Sequence, residues 1–194
     1  MARLRVECPW DAKQTHRSLL SYLIEETCEV VDAVEAGSDA ELVEELGDLL
    51  LQIYFHSQIA SEDDRFDLDD VARGISDKLV HRHPHVFAAA ETPADVHLLW
   101  EARKREEKGR TSSLDGIAES MSSLARAYKV ISRARAHGVE VALPDDNVTE
   151  AEVGDQIIAL VARAQASGLD PDAATRDAVR RLSARIRQAE AAAD

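Results

Sequence analysis

The residues of this chain best spaced for chemistry are five carboxylates: Glu25, Glu26 and Glu29, followed by Glu45 and Asp48. Glu26 and Glu29 are three residues apart, as are Glu45 and Asp48, so within helices each pair shares one face. Gly37 lies between the two groups. Glu29 stands eight residues before it and Glu45 eight after; Glu26 stands eleven before and Asp48 eleven after. Two helices folding back at Gly37 bring these pairs together at matching heights, roughly 12 and 16 Å from the turn at 1.5 Å per residue. Like charges one turn apart cost about 0.2–0.5 kcal/mol on an exposed helix, and facing acids cost more where water is excluded. A bound cation reverses that sign. An all-oxygen set without His or Cys suits a hard ion, magnesium first and manganese as the alternative.

A solvated acidic face explains the same spacing in a chain with 37 acidic residues among 194. Asp48 favours the metal reading, because it abuts Leu49-Leu50-Leu51-Gln52-Ile53-Tyr54-Phe55, the most apolar run in the chain. Gly47 favours it too. Glycine weakens a helix interior by about 1 kcal/mol relative to alanine, which points to close approach by the other helix or by a ligand.

The elements that must position these acids follow from local patterns. Apolar residues at helical spacing predict a first helix over about residues 15–36, stopped by Gly37. Ser38-Asp39-Ala40-Glu41 reads as a capping box opening a second helix to about Ser61. The apolar run within it is expected to be central and buried. Asp67 caps a third helix that ends near His83, because Pro84 restricts what precedes it. A loop then leads to Pro93 and a helix to about Lys108. Beyond that, a long helix is expected from Leu114 to about His137, a capping box at Thr149-Glu150-Ala151-Glu152 opens another to about Ser167, and a last one starts at Pro171. The expected fold is all-α.

Composition agrees. Apolar residues make up 45% and aromatics only 4%, with 8 glycines and 5 prolines, which favours helices over strands. The net charge of −14 repels duplex nucleic acid and anionic membrane, so neither is an expected partner. The two cysteines, Cys8 and Cys28, form no CxxC pair and suggest a reduced, cytoplasmic protein. The charged N-terminus lacks the apolar core of a signal peptide, and no stretch approaches the ~18 apolar residues of a membrane span. His81, His83 and His85 straddle a helix end and Pro84, so a structural role is expected rather than metal ligation. Cys28 is expected to be a packed thiol.

The chain also echoes itself. Glu45-Leu46-Gly47-Asp48 recurs as Glu152-Val153-Gly154-Asp155, and Asp67 with Lys78 and Arg82 recurs as Asp170 with Arg181 and Arg185. The second half has no counterpart of Glu25-Glu26-x-x-Glu29. Glu152 and Asp155 lack partner acids and read as a lost site.

Glu25-Glu26-x-x-Glu29, fifteen residues, then Glu45-x-x-Asp48 resembles the signature of the MazG family of all-α nucleoside triphosphate pyrophosphohydrolases. Cys8-Pro9-Trp10-Asp11, Glu45-Leu46-Gly47-Asp48-Leu49-Leu50 and Ser76-Asp77-Lys78 through Phe87 carry the same resemblance. It implies a catalytic domain over residues 1–110 and a helical region over 111–194 that is a degenerate second copy. It implies helical hairpins forming a four-helix-bundle-like core, completed by a homodimer or higher homo-oligomer, or by the second half of the same chain standing in for a partner. The activity implied is cleavage of a nucleoside triphosphate to monophosphate and pyrophosphate, with Glu26, Glu29, Glu45 and Asp48 on magnesium and Glu25 on a second ion or the attacking water. Lys78, Arg82 and Lys104 would contact phosphates, and Trp100 base or sugar. The family's role in clearing damaged or non-canonical nucleotides is implied as well. Tyr22 and Glu41 stand where active members often carry lysines. That departure keeps open a non-catalytic nucleotide- or alarmone-binding regulator, or a narrow relative acting on dUTP or phosphoribosyl-ATP.

Overall fold

A computed structural model of the chain describes residues 1–88 and 111–193 and, between them, Arg103, Glu107 and Gly109. Trp100 and Lys104, on the helix expected up to Lys108, lie outside the described residues. Among the described residues helices are the only regular structure. None is long and apolar enough to cross a membrane. The chain divides into two compact units, Met1–Glu91 and Thr92–Asp194.

The first unit contains α1 (Ala2–Glu7), a 3-10 turn (Asp11–Lys13), α2 (Leu20–Ala36), α3 (Asp39–Glu62), α4 (Leu68–Arg82) and the short α5 (Pro84–Phe87). Helix α2 folds back on α3, and α4 packs more lightly on α3. Gly37 makes the reversal possible. A Cβ there would lie 2.7 Å from the Ala33 Cα and 2.8 Å from its carbonyl oxygen, so any larger residue would push the turn apart. Ser38 then opens α3 with the expected capping box. Its hydroxyl accepts the Glu41 N–H at 3.3 Å, and the Glu41 carboxylate accepts the Ser38 N–H at 2.6 Å. Asp67 and Asp70 form the same reciprocal pair at the start of α4. Each such cap contributes about 1 kcal/mol.

Leu19, Phe55 and Ile59 form the core of this unit, with Met1 packed against it, each large side chain contributing about 1.5–3 kcal/mol. Arg5 ties the N-terminal segment down. Its guanidinium forks onto the Glu62 carboxylate at 2.6 and 2.9 Å and donates to the Asp11 and Gln14 carbonyls.

Three expectations change here. Helix α2 begins at Leu20 rather than Thr15, because Thr15 and Ser18 exchange backbone-to-hydroxyl bonds at 2.9 and 3.1 Å that close a separate turn. Helices α1 and α5 occupy segments with no expected helix. The run over residues 49–55 is not buried throughout: Gln52 and Phe55 are, whereas Leu50, Leu51, Ile53 and Tyr54 are 49%, 41%, 40% and 44% exposed. Helix α2 and the lighter contact of α4 leave part of an element that is apolar all round uncovered.

The second unit contains α6 (Ser123–Ala136), α7 (Glu150–Ala166) and α8 (Pro171–Ala193). Helices α6 and α7 each pack on α8, around Leu114, Val130, Ala134, Val179 and Ile186. The capping box at Thr149 and Glu152 forms as expected. The helix expected from Leu114 instead begins at Ser123. The Asp115 carboxylate accepts the N–H groups of Thr111 and Ser112, Glu190 accepts that of Ser113, and Gly116 has φ +77°. These bonds hold a capped turn that a helix would have to break, and Ser122 caps the helix that follows.

Candidate functional site

The α2–α3 hairpin carries all five candidate acids. Glu26 and Glu45 are half-buried and Glu29 is exposed, and one carboxylate oxygen from each lies within 4.8 Å of the others. Among the described residues this is the only such group of three or more His, Cys, Asp or Glu side chains. Asp48 is half-buried one turn beyond Glu45, and Glu25 is exposed on α2 outside the three-carboxylate group.

The electrostatics follow the helix register. Loss of hydration and then the charge of Asp48 hold the Glu26 carboxyl above its ordinary pKa, with Glu29 and Glu45 adding less. Loss of hydration and then the charge of Glu29 do the same to Glu45. The strongest charged neighbours are thus Asp48 for Glu26 and Glu29 for Glu45, the cross-hairpin pairs obtained by counting from Gly37. Oxygens around a magnesium ion at ~2.1 Å stand roughly 3 Å apart at right angles and roughly 4.2 Å across. The three carboxylates need only a small closure to reach those separations. They are hard donors whose mutual repulsion a divalent cation relieves, so the residues present fit such an ion.

Beside the group, toward Gly37, an open groove is lined by Glu29, Asp32, Ala33, Glu41 and Glu45. Asp32 escaped the sequence reading although it lies three residues after Glu29 and extends the same face. The carboxylate of Glu41 is committed to the hydroxyl and then the backbone N–H of Ser38, which lower its pKa. Gly47 corrects an expectation: a Cβ there would meet no atom within 4 Å, so α2 makes no close approach. Cys28 is exposed, not packed, because α3 covers a different face of α2.

The expected cationic side is divided. Lys78 is exposed on α4 and Arg82 is half-buried at the end of that helix, while Trp100 and Lys104 fall outside the described residues. Trp10, half-exposed, meets Tyr22 and Phe55 edge-on at 5.8 and 6.3 Å, so the N-terminal segment docks one turn before Glu25 and Glu26. His83 bonds the Leu79 carbonyl at 2.7 Å, a helix-end contact in keeping with a structural role. A second group had no sequence signal. His16 Nδ1 lies 2.7 Å from His56 Nδ1, and His16 Nε2 lies 2.7 Å from an Arg65 guanidinium nitrogen. These residues are far apart in the chain, and only the packed fold joins them.

Residues 14–87 match the family model described as the MazG nucleotide pyrophosphohydrolase domain. The chain is 35% identical over 203 residues to the nucleoside triphosphate pyrophosphohydrolase/pyrophosphatase MazG of Thermotoga maritima, covering 94% of this chain and 79% of that one. It is 36% identical over 211 residues to the nucleoside triphosphate pyrophosphohydrolase of Escherichia coli K12, covering 94% and 80%. An uncharacterised 26.1 kDa protein of Streptomyces cacaoi is 48% identical over 195 residues, covering 98% and 79%. The matched span contains the whole α2–α3 carboxylate hairpin, and the chain belongs to the MazG family of nucleotide pyrophosphohydrolases.

Proposed function

We propose that the chain hydrolyses nucleoside triphosphates between the α and β phosphorus, releasing a monophosphate and pyrophosphate, with magnesium held by Glu26, Glu29, Glu45 and Asp48. The observation that carries this reading is the convergence of Glu26, Glu29 and Glu45 to within 4.8 Å, inside the span matched by the family model. Bound there, magnesium supplies charge neutralisation for phosphate oxygens and acidifies water. Manganese suits the same donors. The protein's own groups do the rest. Glu25, exposed beside the cluster, orients the attacking water and accepts its proton. Lys78 and Arg82 pair with phosphate oxygens, Arg82 in forked geometry. Lys104 adds a third cation and Trp100 a surface for base or sugar.

The catalytic part is residues 1–110, and 111–194 is a helical region derived from a second copy. The substrates extend to non-canonical or damaged nucleotides, and the setting is the reducing cytoplasm, which suits the free thiols of Cys8 and Cys28. A second copy of the chain covers the open apolar face of the hairpin: Ile24 and Val34 on α2 and Leu46, Leu50 and Leu51 on α3 are all exposed. Two such hairpins make a four-helix core.

One observation favours a second reading. Tyr22 is occupied by Trp10 and Glu41 by Ser38, so the two positions where active relatives often place lysines offer no cation. A regulator that binds nucleotide without turnover would look the same. A panel of (d)NTPs with Mg²⁺, products resolved by anion exchange, separates the readings. Hydrolysis predicts monophosphate and pyrophosphate, abolished in Glu29→Ala. Saturable binding without product from any nucleotide in the panel would select the regulator.

A further inference from the structure

The second unit contains a small, mainly polar cavity of about 130 Å³ between the capped turn at Asp115–Gly116, α6 and α8. Two arginines contribute to its lining, Arg126 from α6 and Arg187 from α8. Two carboxylates line it as well, and neither makes a forked hydrogen-bonded pair with these arginines. Asp115 is committed to the N–H groups of Thr111 and Ser112, each at 3.0 Å, and Arg187 acts on it only through space. Glu119 is 89% exposed and reaches Arg126 no closer than 3.6 Å. The Arg126 Nε is shut off from solvent and has no hydrogen-bond partner. The Ser183 hydroxyl, also in the lining, donates to the Val179 carbonyl, so the side-chain donors that remain for a ligand are guanidinium N–H groups.

Two arginines and two carboxylates line the one cavity, and neither carboxylate forks onto an arginine. Guanidinium pairs are matched in shape and charge to the oxygens of a phosphoryl group. The size is decisive about class. At about 130 Å³ the cavity falls well below the ~300–1,000 Å³ of sites that enclose a cofactor or drug-sized molecule. That size suits one small oxyanion rather than an enclosed nucleoside.

We propose that this cavity binds a single phosphoryl-sized oxyanion, either free orthophosphate or the terminal group of a larger phosphate, held between Arg126 and Arg187. The site is built from residues of the second unit alone and does not depend on the hydrolase reading. Calorimetric titration of the full chain tests it, in EDTA at a constant ionic strength of about 0.15 M so that neither metal nor general screening contributes. Orthophosphate, pyrophosphate and a nucleoside monophosphate are the titrants, against sodium chloride as reference. The expected result is saturable one-to-one binding of orthophosphate or pyrophosphate, the tighter of the two naming the source. Arg187→Gln, an exposed position that leaves the fold unchanged by circular dichroism, weakens it at least about tenfold. Glu119→Gln tightens it by removing the competing acid, and Glu29→Gln leaves it unchanged. No saturable binding of either anion, or equal affinity in wild type and Arg187→Gln, overturns the proposal.

Discussion

In α3 the segment Glu45-Leu46-Gly47-Asp48 starts seven residues into the helix; in α7 the matching Glu152-Val153-Gly154-Asp155 starts at the third. That difference of one turn decides what the glutamate does. Glu152 falls where its carboxylate reaches back to the N–H and hydroxyl of Thr149, both at 2.8 Å, which lower its pKa. Glu45 lies a turn past its own cap, where Glu41 has already taken the capping role, and its pKa is raised instead. The neighbours differ too. Helix α3 lies along α2, which brings Glu26 and Glu29 across to it, whereas α7 has no buried residue and packs on α8. The same four-residue pattern is a cation-ready cluster in one register, opposite an acidic helix, and a helix cap in the other.

The largest effect expected to sharpen this contrast is on rate. Glu29→Ala or Glu45→Ala should lower Mg²⁺-dependent pyrophosphate release at least about 100-fold, while Asp155→Ala should stay within about twofold of wild type. A comparable loss from Asp155→Ala would erase the distinction between the two helices.

The parts of this contrast that were legible in sequence rest on local chemistry. Ser38 with Glu41 and Thr149 with Glu152 make caps from residues three apart, so their outcome needs no distant partner. The pairing of Glu26 with Asp48 and Glu29 with Glu45 follows from counting through one short turn. Glu152 was readable both as a cap and as an echo of Glu45, and only the observed start of α7 shows which use its carboxylate has. What was hidden depends on tertiary contacts. Residues 114–122 look helical until Glu190, nearly eighty residues on, takes the Ser113 N–H that precedes them. Leu50 and Leu51 look like core residues because sequence reports hydrophobicity without saying whether the same chain supplies the cover. Gly47 drew a similar inference of close approach, and its surroundings are open.

The next effect concerns that cover. The apolar face of α3 belongs to the proposed dimer, and no such role is proposed for α7. Leu50→Asp should therefore weaken self-association at least about tenfold, since burying such a side chain contributes about 1.5–3 kcal/mol. Sedimentation velocity across a concentration series reads this, and Ile158→Asp on α7, at a residue 69% exposed, should leave association unchanged. A monomeric wild type at high concentration contradicts the proposed dimer.

Smaller effects come from the caps and acids. Ser38→Ala and Thr149→Ala should each cost about 1 kcal/mol in urea unfolding. The glutamates should then move in opposite directions without metal: Glu45→Gln raises the melting temperature by relieving repulsion, and Glu152→Gln lowers it by weakening the cap. Shifts of the same sign would show that the register difference has no energetic consequence.

The smallest expected effect is a pH dependence confined to the first unit. Burial, and then the charge of His16, lower the His56 pKa below its ordinary value. The unfolded chain then binds more protons than the folded one near pH 6, so stability rises with pH. This contribution is complete above about pH 6.5 and is lost as pH falls toward the lower folded value. Melting temperatures between pH 7.5 and 5.5 should drop less in His56→Gln than in wild type; equal slopes would remove His56 as the cause.

Manganese binding followed by electron paramagnetic resonance is the most direct test of the two helices' separate roles. Wild type and the Glu152→Gln/Asp155→Asn double variant should take up Mn²⁺ with the same affinity and stoichiometry, and Glu29→Gln/Glu45→Gln should lose that uptake. Retained binding in the hairpin double variant, or its loss in the α7 double variant, would contradict the assignment of the metal to the α2–α3 carboxylates.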